Sequence, residues 1–142
     1  MITVRCIAGM LGAVGMFAPP VLLMAADKES LTFQGTINVS PELAHHIDVG
    51  DRLIMKLYHP GENGLEMDAK FQIADEFSLP VEFRIGPSIS MSGDTKHQTY
   101  VVEVFTDKDR DVLSVVPGEL IARTPEPLPL GTKGIVLELI LY

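Results

Sequence analysis

Between Leu31 and Val39 the chain alternates with period two: Leu31, Phe33, Ile37 and Val39 are apolar, and Thr32, Gln34, Thr36 and Asn38 are polar. Successive side chains of a strand point to opposite faces, so this run predicts a strand with one face buried and the other wet. The alternation returns in RLIMKLY (Leu53, Met55, Leu57), in AKFQIA (Phe71, Ile73) and in LPVEFRI (Leu79, Val81, Phe83, Ile85), each bounded by Gly, Pro, Asn or Asp. YVVEVFT, VLSVV, ELIAR and the terminal GIVLELILY extend the series, several of them apolar on both parities as central strands are. SPELAHH carries the one helical signal: Ser40 as cap, Pro41 in the opening position and Glu42 near the positive end predict one or two turns. About seven short strands separated by turn residues predict an all-β chain, an immunoglobulin-like β-sandwich in the first place and a small barrel in the second.

The first 26 residues stand apart from this pattern. MITVR, with the single charge of Arg5, leads into the uncharged run CIAGMLGAVGMFAPPVLLMAA, which ends at the polar DKES. Basic start, apolar middle and small residues at the end are the layout of a secretory signal peptide, with cleavage after Ala26. An uncleaved anchor is the alternative, and the helix-interrupting pair Pro19 and Pro20 speaks against it. Residues 27–142 are then expected to form one exported, periplasmic domain, in contact with a membrane only if the segment is retained. Cys6 leaves with the segment, so the domain has no cysteine and rests on its apolar core rather than on disulfides. The formal charge of the whole chain, −8, becomes −9 once Arg5 is removed, a surface that repels nucleic acid and anionic lipid.

Catalysis has no foothold in the sequence. There is no G-x-S-x-G elbow, and Ser88, Ser90 and Ser92 in GPSISMSGD read as a polar loop. The expectation is a non-enzymatic protein without a cofactor. One metal alternative survives, a periplasmic copper protein: His59 and Met67 flank the loop PGENGLE, Met91 and His97 flank SGDTK, and imidazole with thioether suits copper if the two loops share one end of the fold. The adjacent His45 and His46 diverge on a strand or a helix and read as one exposed and one packed residue. TDKDRD, 106 to 111, opens like a calcium loop, but the sixth position counted from Asp107 is Val112 rather than glycine and the twelfth is Gly118 rather than glutamate. It reads as the turn of a hairpin.

The ordered series G-T-I-N-V-S-P-E-L at 35 to 43, G-D-R-L at 50 to 53, L-P-V-E-F at 79 to 83, M-S at 91 and 92, V-V-E-V at 101 to 104, G-E-L at 118 to 120 and L-G at 130 and 131 resembles the C-terminal immunoglobulin-like domain of the cytochrome c-type biogenesis protein CycH. The resemblance runs over nearly all of residues 27–142. It implies a periplasmic β-sandwich that serves protein binding or assembly, with apocytochrome c or another component of cytochrome c maturation as the partner. The helical repeats that accompany this domain in full-length family proteins are not seen in this chain, so what the resemblance carries is the domain. An exposed strand edge is the natural means of binding, because an extended partner adds to it by main-chain hydrogen bonds.

Overall fold

The computed structural model describes residues 31–89 and 97–142; residues 1–26, read above as a signal peptide, Cys6 within them, Ser90, Met91 and Ser92 lie outside the described residues. The described residues form eight strands: β1 (Phe33–Val39), β2 (Arg52–Gly61), β3 (Gly64–Ala74), β4 (Val81–Ile85), β5 (Thr99–Asp107), β6 (Leu120–Arg123), β7 (Leu128–Pro129) and β8 (Ile135–Leu141). Seven lie side by side in the order β3-β2-β5-β6-β8-β1-β4, with β7 paired to β5, and the sheet curls into a half-barrel. The chain is therefore all-β, as the alternation predicts. Among the described residues no helix is long and apolar enough to cross a membrane.

Strand β8 joins the two halves of the sheet. Its end pairs antiparallel with β6 (Leu120 with Leu141, Ile121 with Ile140), while residues 135–139 pair parallel with β1. Parallel contact begins at Gly35 opposite Ile135. A Cβ on Gly35 would stand 2.0 Å from the Ile135 carbonyl oxygen, so the two strands approach there only because glycine has no side chain.

The inner face gathers the alternating residues. Phe33, Ile37, Leu57, Ile85, Val102, Val104, Leu120 and Leu139 are each at 0% exposure, and Met55, Phe83, Tyr100 and Leu137 join them in one cluster. Burying side chains of this size contributes on the order of 1.5–3 kcal/mol each, which is what holds a domain without disulfides together. Phe33 meets Tyr100 edge to face with centroids 6.0 Å apart.

Five local expectations need correction. In β3 the inward positions belong to Asp68, Lys70, Gln72 and Ala74, while Phe71 and Ile73 share the outer face with Lys56 and Ile54. Pairing with β2 sets these faces, Met55 standing opposite Gln72 and Lys56 opposite Phe71; between Lys56 and Tyr58 the register shifts by two, so three β3 residues, 68 to 70, stand opposite Leu57 without a change of face. In β2 both faces are covered, with Ile54 and Lys56 as buried as Leu53 and Leu57. VLSVV forms no strand, because Asp111 takes the Leu113 amide (2.9 Å) and the Ser114 hydroxyl (2.8 Å) and turns the chain. TDKDRD is accordingly no tight hairpin turn: β5 and β6 do pair antiparallel, but across the whole segment 108–119. Finally, SPELAHH yields a single 3-10 turn, Ala44–His46, and its first amides are received by the Ser40 carbonyl rather than its hydroxyl.

Candidate functional site

The half-barrel leaves two terminal strands, β3 and β4, and the curl brings them towards each other. No backbone ladder joins them among the described residues. Side chains of β3 cross the seam instead. Gln72 Nε2 donates to the Arg84 carbonyl at 2.9 Å, replacing the ladder bond that this oxygen lacks. Asp68, buried, receives the Ser88 amide at 2.9 Å and the Ser88 hydroxyl at 2.8 Å, and also the amide of Lys70 at 3.1 Å. The irregularity opposite Leu57 shifts the register by two residues, so Asp68 stays on the same face as Lys70 and Gln72.

Between these two latches lies a cavity of about 350 Å³, lined by Lys70, Gln72 and Arg84 and walled by Leu31, Gly86, Pro87 and Ile89. Gly86 is buried against Thr32, whose Cγ2 would stand 3.2 Å from an added Cβ, so the segment after β4 hugs the chain entering β1. Larger openings of about 380 and 390 Å³ occur where β8 leaves β6 for β1 and beside Glu82 of β4. Neither lies between the terminal strands of the sheet, which is the place where an added strand would continue it.

Above the seam sits an aromatic group. The His59 and His97 rings stack at 3.6 Å between centroids, tilted by 12°, and both meet Tyr100 edge-on at 6.0 and 6.1 Å. Burial pushes the Tyr100 phenol above its ordinary pKa, the charge of Asp68 pushes it further, and a hydrogen bond from the His97 backbone acts in the opposite sense. The structure thus brings together two of the four residues singled out for copper. Parallel rings aim their in-plane lone pairs in parallel rather than at one point, so the stacked pair does not chelate as it stands. Met67 is paired with Tyr58 and lies on the face opposite that of His59; it is exposed (39%). Met91 is outside the described residues.

No family model and no curated protein matches this chain. A solved structure does: an alternative pilotin from the type II secretion system of Vibrio cholerae, at 13% identity and a TM-score of 0.50, over 78% of this chain and 96% of that one. The chain shares a fold with that pilotin. At this level of identity the likeness is one of backbone architecture, and it transfers no residue.

A second polar centre lies at the C-terminal end of β5, in TDKDRD. Asp107, Asp109 and Glu119 bring carboxylate oxygens within 4.8 Å of one another. Each buried member is already engaged. Asp107 receives Arg52 Nε at 2.9 Å, and Glu119 receives the amides of Lys108 (2.6 Å) and Val116 (2.9 Å). Lys108 reaches back to Asp51 at 2.6 Å and Asp48 at 3.0 Å; its partial burial opposes the charge, yet these two acids hold its pKa above the ordinary value. The acids therefore anchor segment 108–119 to the chain before β2, a structural task. Arg110 takes a left-handed conformation (φ 65°) within that segment.

Sequence reasoning missed Asp68, Gln72 and Ser88 as partners, and it missed the buried pair of Lys56 and Glu103. Burial pulls the Lys56 pKa down, with Glu103 and Asp111 opposing; Glu103 is also bound by Arg123 and, at 3.2 Å, by the Tyr58 hydroxyl. The Tyr58 phenol is raised to about 12, by burial first and by Glu103 second. The one signal available was polar residues at inward parity in β3, legible only once the register is known.

Proposed function

We propose that this chain is a non-catalytic polypeptide-binding domain of the cell envelope, and that an extended segment of its partner docks in the seam between β3 and β4. The observation that carries this reading is the half-barrel whose terminal strands face one another with side chains, rather than a ladder, spanning the gap. An extended segment entering there gains main-chain partners on a strand of 11 residues, β3, whose outer face also exposes Leu65, Met67 and Ile73. The likeness to a pilotin of a secretion system supports a role in handling another protein, and so does the resemblance to the CycH domain. The immunoglobulin-like sandwich belongs to the same proposal, its two layers being the halves of the curled sheet that β8 joins.

Reduced, haem-free apocytochrome c is the first partner to try, because it is unfolded and basic while this chain carries a formal charge of −8. Isothermal titration is expected to show binding that weakens as salt rises and that is lost in Gln72→Trp, which fills the seam. Wild type binding no better than Gln72→Trp excludes the seam as the site. No binding by either removes apocytochrome c as the partner class.

A further inference from the structure

We infer that the cavity in the seam receives the C-terminal carboxylate of the docked segment, with Lys70 and Arg84 as its cations. This rests on the polypeptide-binding reading above and names which part of the partner is held. Charge points to it first. In a chain with 11 basic and 19 acidic residues, three cations around the sheet are held in ion pairs: Arg52 by Asp107, Lys108 by Asp48 and Asp51, Arg123 by Glu103. Lys70 forms no ion pair among the described residues, and it stands exposed on the cavity wall beside Arg84. Arg84 has a further interaction within the chain, and a guanidinium with five donors can serve two partners.

The shape of the cavity narrows the ligand. Next to the cations stand Leu31, Pro87 and Ile89, an apolar wall. An anionic head beside one apolar side chain is the chemistry of a chain's last residue. About 350 Å³ lies at the small end of ligand sites, on the order of 300–1,000 Å³, which suits one residue rather than a folded domain. An extended segment paired along β3 would bring its end into this space between the Asp68 and Gln72 latches. The carboxylate would accept charge-assisted hydrogen bonds from Lys70 and Arg84 in a partly desolvated setting.

The test uses three small probes followed by amide shifts in two-dimensional NMR: N-acetyl-leucine, its C-terminal amide, and N-acetyl-aspartyl amide, whose acid is in the side chain. N-acetyl-leucine is expected to shift Lys70, Gly86 and Ser88 saturably, the leucine amide at least about ten-fold more weakly, as loss of charged hydrogen bonds implies, and the aspartyl amide more weakly than N-acetyl-leucine. Lys70→Ala, an exposed position, is expected to keep the fold and to remove the preference for the free acid. Equal shifts by acid and amide, an aspartyl amide as good as N-acetyl-leucine, or no shift in the seam by any probe overturns the inference. If apocytochrome c still binds and Gln72→Trp still blocks it, the polypeptide reading stands while the carboxylate site falls.

Discussion

The two polar centres of this protein, the acid cluster at the end of β5 and the seam between β3 and β4, differ in what their groups are already doing. In the first, each buried carboxylate is matched by a donor from the chain itself: Arg52 on Asp107, backbone amides on Glu119, Lys108 across Asp48 and Asp51. In the second, Asp68 and Gln72 are engaged across the gap, and Lys70 faces a cavity. The cluster with a motif-like sequence is closed, and the site without a motif is open. Density of charge along the sequence is therefore a poor guide to a binding site. What matters is whether the fold has satisfied the charges or left them facing space.

The comparison breaks most visibly at Asp107. It is at 0% exposure, and removing it leaves the half-buried Arg52 without its partner, so Asp107→Ala is expected to cost about 3 kcal/mol in urea unfolding. A loss below 1 kcal/mol would mean that the cluster is not the clamp described. Asp68→Ala should cost less, about 2 kcal/mol, and should raise amide hydrogen exchange at Lys70 and Ser88, the two residues whose amides it receives. Unchanged exchange there would show that Asp68 is not what closes the seam. The smallest effect expected is from metal. Because Asp107 and Glu119 already have donors, millimolar calcium or a chelator should leave the thermal midpoint unchanged, whereas a calcium-dependent rise would reopen the cluster as a cation site.

The period-two alternation was enough to place β1, β2 and β4, and apolar runs placed β5, β6 and β8, because burying one face of a strand constrains every second residue locally, and Phe33, Ile37, Phe83 and Ile85 are buried where the alternation put them. It also made the chain all-β. The same logic failed for β3, whose inward residues are Asp68, Lys70 and Gln72, since a terminal strand beside an open seam has no core to cover on that stretch. VLSVV misled for a related reason: its apolar residues match strand preference, but the hydrogen bonds of Asp111 and Glu119 fix the backbone in turns.

His59 and His97 were legible as two of four residues that could converge, and they do meet, but their parallel stacking was set by the meeting of β2 with the segment before β5 rather than by either one. Composition, alternation and the turn residues thus determined the class of fold and the absence of cysteine from the described residues. Which strands end the sheet, which polar residues stand across from each other there, and whether Lys70 faces a cavity depend on contacts between residues far apart in the chain. Register and curl are decided by the packing of the whole sheet, and no local stretch carries them.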